Sequence, residues 1–415
     1  MNRVPIQDDT RGCMQNYTRI LISIAFMVIA ATHVAAQQRL EFAYESGEQY
    51  RILSTVDQDV WVNGGYSHHA TILNRISINV GDVVDGRGYH DALFVTSEEA
   101  TGSHEVFTWG EEYVSEFWRD RLGVYGIGDE YFMPVVRDVP VFPDRPLSPG
   151  DSWAYPAQEV HDFRLSFGIP DAYHFPIPVT YTYTGNVEQD GRVFALIDID
   201  YNVFYRPNQT YPNALYPVRI TGFSDQLLYW DIAAGRPHAY EESYAFVITL
   251  SSGDEVMYEG TAEARIIEAS RMDRAEVVND IRAELDQRGF QDQDVVQDDR
   301  GVTIRLDNIQ FAPDSAFLRE GEKRTLEQIA DILAKYPDRD ILVTGHTALA
   351  GTEEGRQRLS VDRATSVGNY LLELGVRERD QITLRGVGAT EPLASNATES
   401  GMRKNRRVEI TILEN

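Results

Sequence analysis

The stretch "VTGHTALAGTEEGRQRLSVDRATSVGNYLLELG", Val343–Gly375, decides how the last quarter of this chain is read. It begins inside an apolar run, "DILVTGH" (Asp340–His346), that reads as a buried strand ended by Gly-His. A polar loop follows. From Glu353 the pattern becomes helical, with Ala364, Val367, Leu371 and Leu374 inward and Gly375 as its stop. A strand that turns through a polar loop into a long helix needs a sheet to lie on.

The neighbouring residues supply that sheet. "GVTIRL" (Gly301–Leu306) reads as a strand, and Phe311–Pro337 contains a helix marked by Leu326, Ile329, Ile332 and Leu333. "QITLRGVG" (Gln381–Gly388) and "RRVEITIL" (Arg406–Leu413) complete a mixed sheet, the second led in by Asn405, Arg406 and Arg407. The expectation over residues 293–415 is an α/β sandwich of four strands and two main helices. Before it, "RAEVVNDIRAELDQRG" (Arg274–Gly289) reads as a short connecting helix within residues 271–292, with Val277, Val278, Ile281 and Leu285 on one face.

Residues 37–270 are predominantly β. Val179, Tyr181 and Tyr183 alternate with threonines, and Ala195, Ile197, Ile199, Tyr201 and Val203 alternate with Asp198, Asp200 and Asn202. Two strands flank a Ser251–Asp254 turn, and Glu111–Leu122 reads as the one helix-like interruption. A proline-rich connection, Val139–Ala157, divides the region into two layers or subdomains. Two architectures fit: a soluble antiparallel sandwich or open barrel, and a transmembrane barrel. Prolines in "FGIPDAYHFPIPV" (Phe167–Val179) and "YRPNQTYPNALYP" (Tyr205–Pro217) favour the soluble one.

The N-terminus reads as an export signal. An apolar run, Ile20–Ala31, follows Arg19, and Val34 and Ala36 stand at -3 and -1 of a cut before Gln37, giving a leader over residues 1–36. The run is short for a membrane span, so an uncleaved anchor is the weaker alternative. Translation from Met14 rather than Met1 fits the polar extension. Cys13, the only cysteine, precedes the apolar run, so a cut chain has no disulfide, catalytic thiol or thiolate metal site. The formal net charge of -27 on 415 residues repels phosphate backbones and argues against nucleic acid as a partner.

Catalytic and metal signatures are absent from the sequence. His68, His69 and His161 lack metal-ligand spacing, and there is no Gly-x-Ser-x-Gly elbow or phosphate-cradling loop. Tyr and Trp of the β region suit cross-strand core pairs better than sugar stacking. No cofactor is expected. His346 closes a strand into a turn with no accompanying nucleophile, which suits a loop-holding role rather than catalysis.

"IQFAPDSAFL", the Gly-His-Thr turn, the Leu-Ser-x-x-Arg-Ala helix, Gly-x-Gly-x-x-x-Pro and Asn-Arg-Arg-Val-Glu occur in order over about Val302–Leu413. Together they resemble an OmpA-like C-terminal domain; the β region does not resemble that family's eight-stranded barrel. The resemblance implies noncovalent binding to peptidoglycan and tethering of the outer membrane or its proteins to the wall. In the family the loop normally reads Gly-His-Thr-Asp, and its Asp and the helix Arg clamp the charged end of diaminopimelate in the stem peptide. That division of labour is physically sound, because an ammonium needs a carboxylate and a carboxylate suits a guanidinium fork.

Here Arg363 matches the Arg, Ala348 replaces the Asp, and Arg356 stands where an Asn is common. The implied peptidoglycan-binding set is Phe311, His346, Thr347, Ala348, Arg356, Arg363 and Arg406. Phe311 also reads as core, Arg363 as a surface ion pair, and Arg406 as a solvated charge. Three consequences of Ala348 stay open: a carboxylate from Glu353 or Glu354 takes over, another diamino acid such as ornithine is the ligand, or wall binding is lost. Asp362 is a poor substitute, since adjacent helix positions point about 100° apart. The expected function is a noncatalytic cell-envelope protein that associates weakly or selectively with peptidoglycan. It would be exported, periplasmic, and partnered by wall and outer-membrane proteins. A structural or interaction module without wall binding is the alternative, and an outer-membrane barrel or porin the second.

Overall fold

A computed structural model describes residues 37–99, 107–212, 214–268, 272–290, 294–298, 300–306, 311 and 315–414. The export signal, Cys13 and the choice of Met14 lie outside the described residues.

Twelve strands build a nearly closed antiparallel barrel. They are β1 (Gln49–Val62), β2 (Gly65–Val84), β3 (Arg87–Glu99), β4 (Phe107–Arg119), β5 (Tyr125–Ile127), β6 (Val136–Arg137), β7 (Ser152–His161), β8 (Tyr173–Gln189), β9 (Arg192–Tyr205), β10 (Pro217–Asp231), β11 (Arg236–Leu250) and β12 (Glu255–Glu268). Successive strands pair, and β1 closes on β12 with Val56 opposite Ala262. β5 pairs with β4 and β6 with β7, so the ring's seam falls between β5 and β6. One helical turn, α1 (Arg164–Phe167), interrupts the meander.

Alternation sets the faces. Val179, Tyr181, Tyr183, Ile197, Ile199, Tyr201 and Val203 are buried in one inner core with Trp230 and Phe142. Outward positions carry charge: Asp198 of β9 and Glu241 of β11 flank Leu227 of β10, Glu241 lies opposite Glu263 of β12, and Asp200 faces Asp225. Burial first, and then Asp225 and Asp198, push the Asp200 carboxyl up. A row of carboxylates at mid-strand is the reverse of a lipid-facing band.

Glu111–Leu122 is not a helix; it lies in β4 and the turn after it. Ser115 and Phe117 are buried while Val114 is 67% exposed, which is two-residue alternation imposed by pairing with β3. The Glu- and Arg-rich composition favours a helix only weakly, and tertiary pairing overrides it.

The C-terminal domain is a five-stranded mixed sheet with helices. The strands β13 (Asp294–Asp298), β14 (Gly301–Leu306), β15 (Ile341–Gly345), β16 (Ile382–Gly386) and β17 (Val408–Leu413) run β13–β14–β17–β15–β16, with only β15 and β16 parallel. The helices are α2 (Arg274–Gln287), α3 (Glu320–Leu333), α4 (Glu353–Glu373) and α5 (Glu399–Asn405). The core residues read from periodicity in α2 and α3 are all buried, as are Ala364, Val367 and Leu371 of α4. Leu374 is the exception: it caps α4 and is 38% exposed, because the helix ends before that face completes another turn. β13 is a fifth strand beyond the expected four, and Asn405 ends α5 rather than beginning the last strand.

Several contacts join barrel and C-terminal domain, among them Arg379 with Glu99 at 2.7 Å and Arg75 Nη2 donating to the Asp380 carbonyl at 2.7 Å. Phe107 and Thr108 of β4 pair in parallel with Thr383 and Leu384 of β16. Arg51 of β1 and Arg75 of β2 both reach Asp340, at 2.8 and 3.0 Å, just ahead of β15.

Candidate functional site

The loop of interest leaves the C-terminal ends of the parallel strands β15 and β16. Both strands end in glycine because α4 lies directly on them. A Cβ at Gly345 would meet the Ser360 carbonyl at 2.1 Å, and one at Gly386 would meet the Val361 side chain at 2.4 Å. The Ser360 hydroxyl accepts from Gly388 N at 2.9 Å, and Gly388 O accepts from Thr347 N at 2.7 Å, tying helix, β16 loop and β15 loop together. Thr352 caps α4 by accepting from Gly355 N, and Glu353 and Glu354 occupy its electropositive first turn.

A single asparagine holds the far side. Asn405 is fully buried and uses all its hydrogen-bonding capacity: Oδ1 accepts from Leu393 N and Ala394 N, while Nδ2 donates to Ala394 O and Asn396 Oδ1. Asn396 Oδ1 in turn accepts from Leu349 N at 3.0 Å, which pins the loop one residue past Ala348.

Beneath the loop lies a charged network. Glu409 accepts from Arg407 Nε at 2.7 Å and Arg305 Nε at 3.2 Å, and His346 Nε2 stands 3.7 Å from its other oxygen, too far for a hydrogen bond. Burial alone would raise the Glu409 carboxyl, but His346 and Arg407 outweigh it and hold the group at about 2. Burial lowers the His346 imidazole from its ordinary value. The backbone ties the same two residues together, since His346 N donates to Arg407 O at 3.0 Å.

The residues expected at the site divide into two groups. Arg363 and Phe311 come together: the guanidinium lies 5.1 Å over the ring and Arg363 Nε donates to Ser315 O at 3.2 Å. Arg363 is buried, at 3% exposure. His346, Thr347 and Ala348 are buried in the loop, and the Thr347 hydroxyl has no hydrogen-bond partner. Arg356 turns back to Gly351 O at 2.7 Å, and Arg406 turns to Glu399 at 2.8 Å. Glu353, Glu354 and Asp362 are exposed. Asn405, Asn396 and Glu409, which position the loop, were not singled out from the sequence. The Asn and Glu of Asn-Arg-Arg-Val-Glu were its only visible signal. Among the described residues no group of three or more His, Cys, Asp or Glu side chains is arranged to hold a metal.

Residues 310–406 match the sequence model of the OmpA family. The chain is similar to the probable lipoprotein YiaD of Escherichia coli, 39% identical over 105 residues, which are 25% of this chain and 48% of that protein. It is also similar to the peptidoglycan-binding protein ArfA of Mycobacterium tuberculosis, 40% identical over 104 residues, 25% of this chain and 32% of the other. The chain thus spans about a half and about a third of the length of these relatives. Among solved structures, the cell wall anchor of the T6SS from Pseudomonas aeruginosa matches at 31% identity and TM-score 0.28, covering 35% of this chain and all of that one.

Proposed function

Because residues 310–406 form a domain of the OmpA family, we propose that this chain is a noncatalytic cell-envelope protein whose C-terminal domain associates noncovalently with peptidoglycan. The observation that carries the reading is the buried Arg363 under Phe311, one helix away from a loop whose backbone is fixed on both sides. A guanidinium held in that way is suited to a ligand carboxylate. Position 348 offers only a methyl group, so an ammonium on the ligand gains no carboxylate there. Losing one hydrogen bond to a charged group weakens binding about 10- to 150-fold. Wall binding is therefore weak, or directed to a stem peptide whose third residue relies less on that ammonium contact. Export to the periplasm, with wall and outer-membrane proteins as neighbours, accompanies this reading.

The test is sedimentation of residues 37–415 with purified sacculi containing either diaminopimelate or ornithine, alongside Arg363→Ala and Ala348→Asp. Pelleting with one wall that Arg363→Ala abolishes supports the reading and identifies the stem peptide. If the native chain never pellets and Ala348→Asp restores it, the domain is an interaction module that keeps the fold without the wall.

A further inference from the structure

The joint between barrel and C-terminal domain encloses a cleft of about 340 Å³, within the lower range of small-ligand sites. Its floor is the outer face of β1 to β4, and its roof is formed by Arg274, Arg300, Leu413 and Glu414. The roof charges are balanced, Arg274 by Glu414 and Arg300 by Asp298 at 3.1 Å. On the inner wall Arg51 and Arg75, each 4% exposed, share the carboxylate of Asp340, and neither guanidinium has all its donors satisfied. Arg75 Nη2 uses the Asp380 carbonyl, but Arg51 Nε and Arg75 Nη1 have no acceptor. A buried guanidinium with an unpaired donor is costly unless an anion completes it. Farther along the same floor stand two carboxylates, Asp91 and Glu112, with the apolar side chain of Val114 beside them.

We propose that this cleft binds a small zwitterionic carboxylate of amino-acid or dipeptide size. Its carboxylate meets Arg51 and Arg75, its ammonium faces Asp91 and Glu112, and its side chain lies on Val114. The arrangement of opposite charges selects against simple anions, which the floor carboxylates and the overall charge of -27 repel. The proposal stands apart from wall binding, because the cleft lies at the start of β15 and the candidate wall-binding loop at its end.

Calorimetric titration of residues 37–415 with dialanine, N-acetyl-dialanine and dialanine amide tests it. Dialanine binds, the acetylated probe binds more weakly, and the amide loses about 10-fold or more in affinity. Arg75→Gln loses a similar factor. That substitution also loosens the joint, so Val114→Trp serves as the second variant: at a position 67% exposed it fills the cleft without touching Asp340. Its melting temperature stays at the native value while dialanine binding falls at least about 10-fold. Absence of saturable dialanine binding, equal binding of the amide, or binding that Val114→Trp leaves intact overturns the proposal.

Discussion

Glu409 shows how one buried carboxyl can fix a loop and set an acid limit on the fold. It is a strand residue 8% exposed, held between two guanidiniums and faced by the His346 ring. Its native carboxyl takes up a proton only near 2, whereas in the unfolded chain it does so near the ordinary 4.5. Between those values the unfolded chain binds more protons, so stability falls as pH drops through that window. His346 acts in the same direction at higher pH, since burial lowers the native ring and the unfolded ring is protonated first below about 6.5. The downward Glu409 shift corresponds to at most about 3 kcal/mol. The protection factors of β15 and β17 amides, taken relative to the intrinsic exchange rate at each pH, are therefore expected to fall on acidification between pH 7 and 3. Glu409→Gln loses stability at pH 7, because Arg407 is left buried against a neutral group, and flattens the profile below pH 4.5. An unchanged profile in that variant would place the acid sensitivity elsewhere.

At the scale of elements, what the sequence reveals depends on how far apart the cooperating residues lie. Helices α2, α3 and α4 were legible because Leu326, Ile329 and Leu333, or Val367 and Leu371, repeat within one turn or two. Strands β8 and β9 were legible from the alternation of aromatic and aliphatic residues with Thr and Asp. β4 was missed because its inward positions include Tyr113 and Ser115, whose burial depends on distant partners at Asp162 and Met133. β13 has only Val295 fully buried, too little to show a period. In the site, Arg363 and the loop were readable from a linear motif, while the role of Asn405 depends on a loop nine to twelve residues upstream. The glycines belong with the hidden information: Gly345 has an ordinary strand conformation and is required only by the approach of α4. Gly345→Ala is expected to push Ser360 and the rest of that turn away from the sheet, costing about 1–3 kcal/mol. The measurement is thermal unfolding with sacculus pelleting. Loss of stability with pelleting intact would show that α4 shifts without moving Arg363.

Across the whole molecule, the two ends of one short strand separate two roles. Asp340 stands just before β15 and His346 just after it, a distance of about 20 Å for six extended residues. The barrel grips the first end through Arg51 and Arg75, and the candidate wall-binding loop leaves from the other, facing away from the grip. The barrel carries outward carboxylates, and the joint relates the two parts. Asp340 is the buried carboxylate of that joint: its side chain is 4% exposed and it pairs with two equally buried guanidiniums. Asp340→Asn preserves the shape and removes the charge, leaving two buried cations without their shared carboxylate, a loss of about 3–5 kcal/mol. Small-angle scattering of residues 37–415 should then show an expanded particle, and calorimetry should resolve separate transitions for barrel and C-terminal domain. Replacing all three residues with apolar ones of similar size, Arg51→Met, Arg75→Met and Asp340→Leu, removes the buried charges together and is expected to recover most of the compactness. Sacculus pelleting should be the same in both variants, because the loop lies at the opposite end of β15. A single-charge variant that stays compact would mean that the remaining contacts, the β4–β16 ladder and the Arg379–Glu99 pair among them, hold the two parts together without the Asp340 charge.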